Sequence, residues 1–138
     1  MHATGQVVQF FVDQQLTHDC LAGLHTQLNP LLPADVRISS VVRTPYDLNA
    51  RLSPLWREYH YHMAWGDVED PLQRRYSGFH FGRLDSAAME RALACFVGRH
   101  NFQAFTTGRI EADDAHRTVR SACMVRIHGK RVRFEVRS

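Results

Sequence analysis

The last twenty residues of the chain alternate between apolar and polar side chains. Two alternating runs, at 119–127 and 131–137, are separated by His128-Gly129, a pair of residues that favours a tight turn. A period of two places successive side chains on opposite faces of a strand, so the pattern predicts an antiparallel hairpin. The return strand alternates Val132, Phe134 and Val136 with Arg131, Arg133, Glu135 and Arg137. We expect its arginine-bearing face to be the solvent side.

The preceding chain supplies the other predicted elements. Thr17 is a suitable N-cap for a helix that Asn29-Pro30 ends, and Asp85 begins a second helix that we expect to run to Val97. Strands are predicted at Gln6–Val12, 36–41 and Leu55–Met63. This order predicts an α+β fold, with helices covering one face of a largely antiparallel sheet. A change of composition between Asp47 and Ser53 predicts two substructures, at 1–48 and 49–138.

Composition and charge limit the kinds of protein that the chain can be. Hydrophobic residues make up 44% and charged residues 22%, which is typical of a globular chain, and no apolar run is long enough to span a bilayer. The three cysteines are scattered, which argues against a disulfide framework or a zinc ribbon and favours a reducing, cytoplasmic setting. Residues 99–138 contain nine basic and four acidic residues, so a polyanion such as RNA is a natural partner for that segment.

The predicted strand at 55–63 contains the residues best suited to chemistry. Glu58, His60 and His62 share one face and could ligate a metal, but polar residues on the wet side of a strand explain them equally well. Tyr59 and Tyr61 share the other face, where they could stack on nucleobases or simply pack in a core. The sequence has no GxSxG motif and no phosphate-binding glycine loop.

Several segments in order resemble the TruA family of tRNA pseudouridine synthases. The opening HATGQVVQF is similar to the run that follows that family's catalytic GRTDAGV motif, and NARLSPLWREYHY is similar to its HARFSAxxRxYxY pattern. Further similar segments are LPADVRI (Leu32–Ile38), ALACFVGRHNFQAF (Ala92–Phe105) and RTV (Arg117–Val119).

The resemblance implies two related α/β domains, here a remnant of the first at 1–48 and most of the second at 49–138. It implies isomerisation of uridine to pseudouridine in the tRNA anticodon stem-loop, without cofactor or metal, on a base that is flipped out of the stack. Tyr59 matches a tyrosine that lies against the flipped base, and Phe102 and Phe105 match a packing element. The arginines that the resemblance and the basic hairpin suggest as phosphate contacts are Arg51, Arg117, Arg120, Arg126, Arg131 and Arg133.

The chain also departs from the family pattern. The family's nucleophilic aspartate would fall three residues before Met1. After the segment that matches FEVRS the family continues into a sheet-covering helix with an MVR motif, and we expect this motif to be distinct from the letters MVR at 124–126. We therefore expect an internal piece of a longer gene, inactive by itself. A non-catalytic RNA-binding remnant that uses the basic hairpin, a homodimer, and a fragment that does not fold stably remain open alternatives.

Overall fold

A computed structural model describes residues 2–12, 17–107 and 115–138 of the chain. The chain divides into two compact units, Ala3–Pro54 and Leu55–Ser138, and His2 groups with the second. That these units correspond to the two subdomains of the TruA family stays a prediction.

The first unit contains helix α1, His18–Leu28, as the sequence predicts. The helix begins after Thr17, whose hydroxyl oxygen accepts a hydrogen bond from the Cys20 amide at 3.3 Å. It passes at Asn29 into a short 3₁₀ turn that contains Pro30, because proline cannot donate the next helical hydrogen bond.

The two strands predicted in the first unit are wrong: its described residues contain no strand. In the second of these segments, the backbone of Ile38 bonds to a side-chain amide instead of to a neighbouring strand. Asn29 donates to the Ile38 carbonyl at 3.0 Å and accepts from the Ile38 amide at 2.8 Å. In the first segment, the side chain of Gln9 accepts from the Ala50 amide at 3.0 Å. An apolar, β-branched segment without a backbone partner does not become a strand.

The second unit is built on a four-stranded sheet with the order β2-β1-β6-β5. Strand β6 pairs antiparallel with both β1 and β5, whereas β2 runs parallel to β1. The strands of this sheet are β1 (Glu58–Gly66), β2 (Gly78–Phe81), β5 (Ser121–His128) and β6 (Arg131–Arg137). A separate antiparallel pair joins β3 (Gly98–Asn101) to β4 (His116–Val119). The arrangement is α+β, as predicted.

Helix α2 spans Ser86–Ala94 and is three residues shorter than predicted. Asp85 is its N-cap and accepts a hydrogen bond from the Ala88 amide at 3.0 Å. Phe96, predicted to lie on the helix, instead falls in the turn that follows it and packs against two other rings. Its ring centroid lies 6.2 Å from that of Phe102 and 5.7 Å from that of Phe105.

The predicted C-terminal hairpin is present, but it contains a bulge. Its turn residues are Gly129 and Lys130, and the glycine has φ 56°, a left-handed conformation that suits this residue. The register shifts between Arg126 and His128, so that Arg126 lies opposite Val132. A regular hairpin on the same turn would place Arg126 opposite Arg133. The bulge therefore moves Arg126 to the apolar face, away from the other hairpin arginines.

Few side chains of the described chain are buried. The buried hydrophobic residues are Ala115, Val119 and Val132, and Val132 is 1% exposed. The accessible surface is 11,927 Å², whereas two compact monomeric units of these sizes together expose about 8,800 Å². Much of the apolar surface is therefore open. Among the described residues, no helix is long and apolar enough to cross a membrane.

Candidate functional site

Three rows of side chains cross the apolar face of the four-stranded sheet. In antiparallel pairing, directly opposed residues project to the same face, so the register defines each row. The rows are Tyr59–Val136–Ala122, Tyr61–Phe134–Met124 and Met63–Val132–Arg126. Both tyrosines project from β1 into this face, as the alternation predicts.

The register gives the two tyrosines different surroundings. Tyr61 stacks on Phe134, with ring centroids 6.3 Å apart and planes 26° from parallel. Its hydroxyl oxygen lies above Gly78, where a Cβ atom would collide with it. Tyr59 lies beside the smaller Val136, and none of the described residues stacks an aromatic ring on it. Both side chains are about half exposed, at 53% and 58%. Tyr61 therefore has an aromatic neighbour within the sheet, whereas the neighbour that the register gives to Tyr59 is an aliphatic side chain.

The opposite face of the sheet holds an ionic cluster around Glu58. Arg137 donates from Nη2 and Nε to Glu58 Oε2, at 2.6 and 3.1 Å, and its Cζ lies 4.3 Å from the centre of the Trp56 ring. The other oxygen, Oε1, lies 2.8 Å from Nε2 of His60. The hydrogen bond from Arg137, and then that with His60, lower the pKa of the Glu58 carboxyl below its ordinary value. This cluster fixes the backbone of β1 on either side of Tyr59.

A second group on this face joins Arg133, Glu135 and Cys123. Arg133 donates from Nε to Glu135 Oε1 at 2.8 Å and forms an ion pair with the same carboxylate through Nη2. The Cys123 sulfur lies 3.8 Å from Glu135 Oε2. Partial desolvation, and then the negative charge of Glu135, raise the pKa of the Cys123 thiol. The thiol therefore stays protonated, which does not suit it to nucleophilic chemistry.

The predicted metal ligands are only partly brought together. His60 and His62 project to the same face as Glu58, and His60 contacts the carboxylate. Among the residues that the structure describes, however, no three His, Cys, Asp or Glu side chains are grouped closely enough to hold a metal ion. The polar side of the strand is an ion-pair network in this structure.

The structure distributes the six predicted arginines over several surfaces. On the polar face of the sheet, Arg133 is paired with Glu135, and Arg131 donates to Asp70 Oδ2 at 2.6 Å. On the apolar face, Arg126 donates to the Ser86 hydroxyl at 3.1 Å, beside the start of α2. Each of these three arginines therefore already has a side-chain partner within the protein.

The other three arginines lie outside the paired strands of the four-stranded sheet. Arg51 follows Asn49 in a turn of the first unit, where its amide donates to the Asn49 side chain at 2.9 Å. Arg117 lies in β4 and its side chain donates to the carbonyl of His116 at 2.8 Å. Arg120 joins β4 to β5; its amide donates to the Arg137 carbonyl at 2.8 Å, and the residue is exposed.

The connection between β1 and β2 is built around Asp70, whose carboxylate accepts the hydrogen bond from Arg131. The neighbouring Asp-Pro pair at 70–71 was the available signal, since aspartate before proline favours the start of a turn.

The chain is similar to several curated proteins named tRNA pseudouridine synthase A. It is 37% identical over 118 residues to tRNA pseudouridine synthase A 1 of Protochlamydia amoebophila, covering 85% of this chain and 42% of that protein. It is 31% identical over 125 residues to tRNA pseudouridine synthase A of Leuconostoc citreum, covering 91% and 47%. With the enzyme of the same name from Halalkalibacterium halodurans the identity is 31% over 137 residues, covering 99% and 51%. No protein-family model matches the chain.

The α+β fold and these relatives define the class, that of the pseudouridine synthases. Within the class, the chain belongs to the TruA family, as its motifs indicate. It spans about half the length of the curated relatives that it matches.

Proposed function

We propose that this chain is the part of a TruA-type tRNA pseudouridine synthase that binds the target uridine and the phosphates around it. The observation that carries the proposal is the alignment with relatives named tRNA pseudouridine synthase A, at 31–37% identity over 85–99% of the chain in the three comparisons above. The half-exposed ring of Tyr59 and the excess of basic residues in 99–138 also support the proposal.

The proposed reaction isomerises uridine in the anticodon stem-loop of tRNA. The bond from C1′ of the ribose to N1 of the base breaks, the base turns, and a bond from C1′ to C5 forms. The C5 hydrogen leaves as a proton, and N1 takes up a proton. The nucleophile of the family is an aspartate in an RTDxG context, and the 138 residues contain no such motif. We therefore assign to these residues the binding steps, with no part for a cofactor or a metal.

Tyr59 is the residue that we assign to the base. Its ring lies on the apolar face of the sheet, beside the small side chains of Val136 and Ala122, and it is 53% exposed. The ion pairs of Glu58 on the opposite face hold the strand that presents it. Stacking of a base on an aromatic ring contributes about 1–3 kcal/mol.

The six arginines are assigned to the RNA backbone, with unequal weight. The charges of Arg131 and Arg133 are offset by Asp70 and Glu135, so their direct effect on a phosphate is small. Arg120 is exposed at the junction of β4 and β5, and it is the strongest candidate for a direct contact. Arg51, Arg117 and Arg126 complete the proposed set.

The remaining parts of the proposal concern organisation. We assign residues 1–48 to the first TruA-like subdomain and 49–138 to the second. We also propose a cytoplasmic protein whose partner is tRNA, and which pairs with a second copy of itself.

The test measures binding of a fluorescent anticodon stem-loop RNA by anisotropy. We expect Tyr59→Ala to weaken binding about 5- to 150-fold, which corresponds to the loss of about 1–3 kcal/mol of stacking. Tyr59→Phe keeps the ring and should bind like the unchanged chain. Tyr46→Ala is the matched control, because Tyr46 is an exposed tyrosine, at 87%, in the first unit.

A tritium-release assay on tRNA labelled at C5 of uridine completes the test. The 138-residue chain alone should bind RNA without releasing tritium, because it has no RTDxG aspartate. Turnover by this chain would refute the assignment of binding steps alone. Equal loss of affinity in Tyr59→Ala and Tyr46→Ala would refute the role of Tyr59.

A further inference from the structure

The connection between β1 and β2 contains a well-defined turn at 70–77. The Gln73 amide donates to the Asp70 carbonyl at 3.0 Å, and the amides of Tyr76 and Ser77 donate to the Gln73 carbonyl at 2.9 and 3.0 Å. The side chain of Asp70 supports the same turn, because its Oδ1 accepts from the Leu72 amide at 3.0 Å. Successive hydrogen bonds of this kind give the segment one backbone conformation.

The same carboxylate ties the turn to the sheet. Oδ1 of Asp70 is used within the turn, while Oδ2 accepts from Arg131 Nη2 at 2.6 Å. Arg131 is the first residue of β6 and pairs with Ala64 of β1. The turn is therefore attached to one of the two inner strands of the sheet. The two side chains are 42% and 38% exposed, so the pair acts by fixing the position of the turn more than by its energy.

A second contact holds the far end of the turn. The Nε2 atom of His2, which groups with the second unit, lies 3.0 Å from the Arg75 carbonyl. Its ring centroid lies 4.8 Å from that of Tyr76. The turn is therefore held at both ends, at Asp70 and at Arg75-Tyr76.

The held turn presents an exposed basic and aromatic sequence. Arg74 and Arg75 are adjacent and exposed, Tyr76 is 61% exposed, and Leu72 is 82% exposed. The aspartate of the turn is paired with Arg131, and the other acidic residues of the connection, Asp67 and Glu69, precede the turn, so that Arg74 and Arg75 are the charged residues of its exposed part. Basic side chains beside an exposed ring are what a single-stranded or looped nucleic acid binds, through its phosphates and its bases.

We propose that the turn at 70–77 is a further RNA-binding element, in which Arg74 and Arg75 contact phosphates. Arg131 acts as a positioning residue, since it holds the turn through Asp70. The inference rests on the proposed function, because it adds a second contact for the same RNA. It also gives a role to Arg131 that does not require direct contact with a phosphate.

The experiment compares two double variants by salt-dependent binding of unmodified tRNA. In Arg74→Gln/Arg75→Gln, the slope of log K against log salt should fall in magnitude by about 1.4–1.8, since each phosphate contact contributes about 0.7–0.9. At 0.1 M salt this slope change corresponds to a fall in affinity of about 25- to 60-fold. Arg83→Gln/Arg91→Gln removes the same charge from exposed positions outside the turn and should change the slope by less than about 0.5.

The positioning role is tested with Arg131→Gln, Asp70→Asn and the pair combined. If Arg131 acts through Asp70, the double variant should bind tRNA no more weakly than Arg131→Gln alone. Arg131→Lys keeps the charge and should recover most of the affinity. Independent, additive losses would refute the positioning role.

The outcomes separate this inference from the proposed function. If the unchanged chain binds tRNA and Tyr59→Ala weakens it, but both double variants keep the same slope, the turn has no role in RNA binding. If the unchanged chain does not bind tRNA at all, the proposed function and this inference both fail.

Discussion

Replacing Val132 with alanine tests whether the rows across the apolar face of the sheet hold the second unit together. Val132 is 1% exposed and lies in β6 between Met63 of β1 and Arg126 of β5. The substitution removes the equivalent of two buried methylene groups, or about 1.6 kcal/mol of transfer free energy. The cavity adds about 24 cal/mol for each Å³ that the surrounding residues do not fill. We therefore expect the free energy of unfolding to fall by about 2–3 kcal/mol.

Urea unfolding followed by circular dichroism measures this change. For a unit of this size, each 1 kcal/mol corresponds to about 4–8 °C in Tm, so a thermal scan should show a drop of about 8–24 °C. Val68→Ala is the matched control, because Val68 is 84% exposed and the same change there should stay within about 0.5 kcal/mol. If Val132→Ala and Val68→Ala lowered the free energy of unfolding equally, burial would not determine the loss of stability, and the argument from the buried row would be refuted.

Two further predictions concern single contacts of the sheet. Gly78→Ala should destabilise the chain by about 1–3 kcal/mol, because the new Cβ would collide with the Tyr61 hydroxyl and lie 3.2 Å from its Cζ. Adding Tyr61→Phe should recover part of this loss in urea unfolding, and no recovery would exclude the collision as the cause. Because Arg137 and then His60 lower the pKa of Glu58 in the folded chain, the stability from this carboxylate is present above its ordinary pKa of 4.5 and is lost as pH falls through the lower, folded value. The difference in stability between the unchanged chain and Glu58→Gln should therefore shrink from pH 7 to pH 3, and a difference that did not change with pH would contradict the argument.

Local signals in the sequence predict the parts of the fold that depend on local interactions. Thr17 and Asp85 cap the two helices because a side-chain oxygen there can reach an amide three residues ahead. The period of two likewise places Tyr59 and Tyr61 on one face of β1. These features need only neighbours along the chain.

The partners of a strand and the register of its pairing depend on residues far apart in the chain, so local sequence patterns do not predict them. Ile38 looks like a strand residue, but its backbone is bonded to the Asn29 side chain. The alternation does not show the bulge near Arg126, which changes the face of that residue. The alternation also does not show that Arg131 forms an ion pair with Asp70, which lies 61 residues earlier in the chain. Because of this pair, Arg131 is not an unpaired charge that could bind a phosphate.

The surroundings of the candidate site residues are likewise not predicted by local sequence patterns. The alternation places two tyrosines on one face and the family resemblance favours Tyr59, but neither shows that Phe134 lies opposite Tyr61 and Val136 opposite Tyr59. The neighbour of each ring depends on what β6 places opposite it, and β6 is more than 70 residues further along the chain.

The bulge in β5 also affects how the molecule behaves beside other copies of itself. β5 is an outer strand of the sheet, and such a strand can template the growth of aggregates when its amides and carbonyls form an uninterrupted ladder. The extra residue, Ile127, interrupts that spacing and increases the local twist. The bulge thus makes the outer edge of β5 a poor template for fibril growth. It does so even though Ile127 is a hydrophobic residue that is 50% exposed.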